Sequence, residues 1–431
     1  MKTLQAGRRG AAGPRTAAGM RPYLPVAFLA RLADEGMAVA VVTLALHRTG
    51  SAALGAYVLM AWMAPHVLAA PLAGAIAARA SSPRLLYGAG LGCLGAAIAA
   101  LAATVGTAPA PVTFAIALAG GCLGPLVTGA LSGLIGLLTP PGPVRDRAYA
   151  LDAAVYNAAS VAGPGAAALL TLYSPALAVL LLAAAALAAA GLATALLPGT
   201  RPHGTHPGPG AGVGPQPRRT ASTRRAALVA GPVVVWRVRE LRAITGATCL
   251  AFLGIGGLTT TAVLLGGGGA LMTAFAVGAL AGSLAVARYR PGLPAPRLAE
   301  AALLGLGLAL AGAAAVALVP SPGPWLLLPF FTVAGLCDGV VLTATLRVRS
   351  DHAPAGTRPQ VFAVGAGLKI SAAACGAGLA GLFAARPAPL LLLAIAALQL
   401  MSAPLHVLLG ASGRTGMLPG RPGRTGTDVG R

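Results

Sequence analysis

Only 9% of the 431 residues are charged and 57% are hydrophobic, which excludes an ordinary soluble globular protein, where charged residues make up ~25%. The net charge of +22 would point to nucleic acid in a soluble chain. Here the basic residues are nearly all arginines placed beside apolar stretches, so membrane topology accounts for the charge and nucleic-acid binding is set aside. In chain order, a basic tail of residues 1–21 leads into six apolar runs at 24–46, 54–77, 85–106, 111–138, 149–172 and 175–197. Six more follow at 243–265, 270–287, 299–319, 324–346, 361–384 and 388–410, and residues 411–431 form a second basic tail. Most of the runs are long enough to cross a hydrocarbon core of ~30 Å as a helix. The first contains Asp34 and Glu35 and is too long for a signal-peptide core, so it is expected to be retained.

Alternate gaps between the runs differ sharply in charge. The tails and the gaps after even-numbered runs hold 27 of the 31 basic residues, whereas the gaps after odd-numbered runs hold Arg48 and Arg386. Arg31 and Lys369 lie inside runs. The positive-inside rule places both termini and the middle gap in the cytoplasm of an inner or plasma membrane. That middle gap, 198–242, opens with the Pro/Gly-rich stretch 198–222, which has linker composition, and continues in an arginine-flanked apolar stretch within 224–242 that suits a membrane interface.

The two halves, 22–197 and 243–410, read as copies. Residues 120–131 (GGCLGPLVTGAL) align with 335–346 (GLCDGVVLTATL) at an offset of 215, and Arg147, Ser160 and Gly165 align with Arg358, Ser371 and Gly376 at an offset of 211. The expected fold class is an all-α membrane protein of twelve transmembrane helices in two six-helix pseudo-repeats. Such parallel repeats place a binding site between the halves near the midplane. Cys93, Cys122, Cys249, Cys337 and Cys375 all fall inside runs without metal-ligand spacing, so neither a disulfide framework nor a metal site is expected.

Charge inside a bilayer is costly, ~2.5–3.5 kcal/mol per residue at the helix centre even on the lenient insertion scale, which makes each intramembrane charge a functional candidate. Arg31, Asp34 and Glu35 lie on run 1, Asp152 just inside run 5, Asp338 on run 10 and Lys369 on run 11. Arg31 stands three and four residues before the two carboxylates, so it can pair with one and leave the other to load and release a proton. The alternative is a structural pair that fixes helix packing. Asp338 and Lys369 both sit ~12 Å deep on consecutive runs, where a salt bridge is easy: the pair reads either as a conformation-dependent bridge or substrate contact, or as a static structural bridge. His66 is a proton-shuttle or core histidine; Tyr156 and Asn157 could bind substrate or a neighbouring helix.

The chain resembles the major facilitator superfamily from about residue 22 to 410. GAIAARASSPR carries Gly74, Ala77 and Arg79 of the motif between the second and third helices, with Ala78 in place of its aspartate and Arg84 from its closing arginine pair. VAGPG carries Gly163 and Pro164 of the fifth-helix motif common in proton-exchanging exporters, without its outer glycines. FLARLADEGM and VFAVGAGLKISAAACGAGLAG look similar to actinobacterial drug and metabolite exporters of the superfamily. The resemblance implies a central cavity lined by helices 1, 2, 4, 5, 7, 8, 10 and 11, with 3, 6, 9 and 12 facing lipid. It also implies a gating role for Gly74, Arg79, Arg84, Gly163 and Pro164.

The expected function is therefore secondary active transport by alternating access, as proton-coupled export of a small amphipathic or hydrophobic molecule. Its partners are membrane lipid, the substrate and protons; no cofactor and no enzymatic activity are expected, and a monomer suffices. Uptake symport or facilitation on the same fold is the alternative, and a non-transporting membrane sensor a more distant one.

Overall fold

The computed structural model describes residues 20–140, 143–199, 232–289, 292–319, 323–354 and 358–411, and every regular element among them is helical. Twelve long elements correspond one to one with the twelve apolar runs. The first half contains α1 (Tyr23–Thr49), α2 (Ala52–Met63 and His66–Arg79), α3 (Pro83–Thr104), α4, α5 (Pro143–Thr171) and α6 (Pro175–Leu196). The second half contains α7 (Arg239–Leu264), α8 (Gly268–Tyr289), α9 (Ala295–Ala317), α10 (Leu328–His352, after a 3-10 turn), α11 (Arg358–Leu382) and α12 (Ala388–Ala411). The linker residues 200–231 and both tails lie outside the described residues.

Local chemistry sets the boundaries. Ser51, Ser82 and Ser174 cap α2, α3 and α6 by accepting the backbone N–H three residues on, and Pro83 and Pro175 then occupy the first helical position. Gly50 ends α1 and Gly266 follows α7, both left-handed at φ 67° and 77°. These two stops are further counterparts of the repeat. Two runs are not single straight helices. α2 breaks before His66 at Pro65, and α4 is assembled from Ala110–Gly121, a π-helical turn Leu126–Ala130 after Pro125, and the short pieces Leu131–Gly133 and Ile135–Leu138. Proline supplies no N–H to the helical ladder, so the chain must re-form its bonds around it.

Eleven of the twelve are long and apolar enough to cross a membrane. The remaining one, α1, has 27 residues, ~40 Å of helix, but carries Arg31, Asp34 and Glu35. The packing repeats as the sequence does: α1 lies on α5 and α6 as α7 lies on α11 and α12, and α3 packs on α6 as α9 packs on α12. The halves meet through α2 with α11, α5 with α8, and α1 with α7. The repeated glycines explain part of this symmetry. A Cβ on Gly120 would overlap the Trp62 ring and one on Gly124 the His66 ring, while in the second half Gly335 and Gly339 would overlap the carbonyls of Phe275 and Ala279. Small residues thus bring α4 onto α2 and α10 onto α8. Leu180, Leu181 and Leu187 on α6, Leu304 and Leu308 on α9, and Leu390, Leu393 and Met401 on α12 stay exposed, as suits a surface bathed in hydrocarbon. Glu300 on α9, the charge at the mouth of that helix, is paired with His406 of α12 at 2.8 Å.

The interfacial stretch is described from residue 232, where 232–237 is helical. Val235 is buried with Leu241, Ala353 and Val361 near the start of α11, and Trp236 points outward, 70% exposed.

Candidate functional site

Arg31 is almost wholly buried, and its carboxylate comes from another helix. Its Nη1 donates to Asp152 Oδ1 at 2.7 Å and to the Asp152 carbonyl at 3.1 Å, and Nη2 donates to Ser132 Oγ at 2.8 Å. The Tyr23 hydroxyl donates to Asp152 Oδ1 at 2.6 Å and Ser132 Oγ to Oδ2 at 2.7 Å, so both carboxylate oxygens are satisfied. The Arg31 guanidinium also lies 5.3 Å from the Tyr156 ring centroid. This closed network ties α1, α4 and α5 together. It corrects the expectation that Arg31 pairs with Asp34 or Glu35.

Those two carboxylates have other neighbours. Asp34 Oδ1 accepts the Trp62 indole N–H at 3.2 Å and faces His66 through space. Glu35 accepts a hydrogen bond from the Tyr156 hydroxyl. Among the described residues neither forms an ion pair within 4 Å. The nearest opposing charge from the other half is Lys369, which acts on Glu35 across the junction. At Gly163 a Cβ would stand 3.0 Å from Glu35 Cβ and 2.8 Å from the Gly36 nitrogen, so α1 and α5 meet backbone to backbone beside the carboxylates. Pro164 follows without interrupting α5.

Asp338 and Lys369 act on each other through space, but no ion pair joins them among the described residues. This corrects the static form of the expected salt bridge. The Lys369 ammonium instead lies 4.1 Å from the centroid of the Phe252 ring of α7, a cation–π contact.

A cavity of about 530 Å³ opens between α2, α3, α4 and α11, with His66, Tyr87, Pro125, Thr128, Gly367 and Ile370 in its wall. His66, whose Nδ1 is buried without a partner, links this cavity to Asp34. Close approaches between the halves pair Gly269 with Ala168, Gly381 with Ala56, and Gly378 with Met60. The first two lie at the end of the bundle away from the chain termini, the third nearer mid-depth. Of the remaining candidates, Asn157 accepts the Ser160 hydroxyl through its backbone carbonyl, and the Arg84 guanidinium lies against Gly199. Gly74 and Arg79 fall on α2, and the surroundings of Gly74 and the side chain of Arg79 lie outside what is described.

Reading the sequence by charge and hydropathy left out Tyr23, Ser132, Phe252 and Arg349. Arg349 was counted with the gap arginines because run 10 ends at residue 346, yet α10 continues to His352 and buries it to 5% exposure. Its spacing was a usable signal: Asp338, Thr345 and Arg349 stand at i, i+7 and i+11, one helical face.

A helical membrane protein of two six-helix halves, with polar groups converging where the halves meet, has the architecture of a secondary transporter. The sequence matches the model of the Major Facilitator Superfamily over residues 23–366, and the chain belongs to that family. The uncharacterized MFS-type transporter y4rN of Sinorhizobium fredii (strain NBRC 101917 / NGR234) is 31% identical over 183 residues, 39% of this chain; the match spans 42% of that relative's length. Among solved structures, the fold is shared with a POT peptide transporter in complex with sulfate (TM-score 0.68, 17% identity, 91% of this chain and 94% of that one). It is also shared with the nucleoside transporter NupG (TM-score 0.68, 11% identity, 90% and 98%).

Proposed function

We propose that the protein is a proton-coupled transporter of a plasma membrane that exports a small amphipathic or hydrophobic molecule by alternating access, with both termini in the cytoplasm. One observation carries the reading. Arg31 is committed to Asp152, which leaves Asp34 and Glu35 as two adjacent carboxylates without an ion pair, beside a tryptophan, a tyrosine and a histidine and with Lys369 acting from the other half, at the junction of the halves. A carboxylate that has no counter-ion in such a place can exchange its proton for a substrate contact as the junction opens and closes. Gly163 and Pro164 support export, because they match the fifth-helix motif of proton-exchanging exporters.

The test is transport in vesicles under an imposed proton gradient, using a substrate first found by panel efflux assay in a pump-deficient host. Asp34→Asn or Glu35→Gln is expected to abolish gradient-driven movement with protein still in the membrane. Wild-type rates in both variants would sink the assignment. Uptake by the same residues is the competing reading, in keeping with a fold shared by peptide and nucleoside transporters. Accumulation driven by an inward proton gradient would establish it instead.

A further inference from the structure

The two halves treat their buried arginines differently. In the first, the Arg31 Nη atoms bond the Asp152 carboxylate and carbonyl and the Ser132 hydroxyl, and its Nε alone lacks a partner. In the second, Arg349 of α10 is 95% buried (5% exposed), and its Nε and Nη2 have no hydrogen-bond partner. None of the ion pairs among the described residues includes it. Its guanidinium is seated on Gly365 of α11, where a Cβ would overlap the guanidinium carbon. Lys369 stands one turn further along the same face of α11, about 6 Å on by helical rise. It has a ring of Phe252 beneath it but no carboxylate in contact. Thr345, one turn before Arg349 on α10, is 3% exposed and its hydroxyl is also unpartnered. The charges that face this group are Asp338 of α10 and Glu35 of α1, both through space, together with the Cys249 thiol of α7.

Two cations and an idle hydroxyl in a largely apolar interior, with N–H groups free, make a site built for an oxyanion. A guanidinium presents a planar fork of donors that fits carboxylate and phosphate alike, and an ammonium adds a point charge. We propose that Arg349, Lys369 and Thr345 form an anion subsite between α7, α10 and α11, and that the transported molecule carries a carboxylate or phosphate group that seats there. The inference rests on the transporter reading and gives its amphipathic substrate a negatively charged head.

The test reads binding, so it is independent of transport direction and of proton coupling. Purified full-length protein in neutral detergent is melted with hexanoate, with inorganic phosphate, with uncharged hexanamide, and with sodium chloride at matched ionic strength. Hexanoate or phosphate is expected to raise the apparent melting temperature by several degrees in a saturable way, while hexanamide and chloride do not. Arg349→Met should abolish that shift and leave the unliganded protein at least as stable as wild type, because an uncompensated charge has been removed. Arg349→Lys should keep part of the shift. No anion-specific shift in the wild type, or a shift that survives Arg349→Met, overturns the subsite. So does Arg349→Met melting well below wild type without anion, which would mean that the guanidinium serves the fold. Stabilisation by phosphatidylglycerol but by neither soluble anion overturns the substrate assignment in favour of a lipid headgroup.

Discussion

Arg31 reaches for a carboxylate 121 residues away, although Asp34 and Glu35 stand within one turn of it on its own helix. Orientation is part of the reason. A base placed N-terminal to an acid at i, i+4 is the weaker arrangement of such a pair, whereas Asp152 offers two oxygens and a carbonyl already framed by Tyr23 and Ser132. Removing one member strands the other, at a cost of ~3–5 kcal/mol for a buried pair. Arg31→Met is therefore expected to lower the melting temperature in detergent sharply, and Asp152→Leu added to it should recover much of the loss. Strictly additive losses would show that the pair does not set the stability of the first half. Each of these residues was legible in the sequence as an intramembrane charge, but their partnership was not. Local spacing offered a nearer partner, and only the crossing of α1 with α5 decides between them. The same holds for Lys369, whose aromatic contact comes from α7 and leaves no trace in the spacing around Asp338.

At the scale of the element, hydropathy alone located all twelve helices, with most ends placed within a few residues. Periodicity does not show how helices are cut or how closely they pack. The breaks of α2 and α4 follow from Pro65 and Pro125, and the π-helical turn between Leu126 and Ala130 re-forms the ladder after the second of these. Glycines of equal standing in the sequence then prove unequal in space. Gly339 presses on the Ala279 carbonyl of α8, whereas nothing lies within 4 Å of the Cβ position of Gly129 in the π-helical turn. Gly339→Ala is expected to cost ~1–3 kcal/mol by forcing α8 and α10 apart, and Gly129→Ala to be neutral or slightly stabilising. Melting curves of the two variants decide it: equal effects would mean that α8 and α10 do not need backbone contact.

For the whole molecule, the repeat was legible because glycines and their neighbours recur at offsets of 215 and 211, and the packing shows what the glycines of the fourth and tenth helices do. The arginine asymmetry supports the proposed orientation, with both termini in the cytoplasm. With native cysteines replaced, Thr107→Cys in the α3–α4 loop is expected to react with an impermeant maleimide in intact cells, and Thr205→Cys in the linker only after permeabilisation. The reverse pattern would invert the topology. In the proposed orientation, the close glycine contacts of Gly269 and Gly381 across the halves would lie toward the outside and close that end. The cavity beside His66 would belong to the cytoplasmic-facing state.

The debt of α1 to α5 also reaches into how the chain is made. At ~5–20 residues per second, the 121 residues that separate Arg31 from Asp152 take roughly 6–24 s to synthesise. Through that interval α1 holds Arg31, Asp34 and Glu35 at membrane depth and has no ion-pair partner from α5. Each charge disfavours lateral release into lipid by a few kcal/mol. Although α1 is translated before α5, its Arg31 gains its buried partner only when α5 arrives, so α1 is expected to settle late.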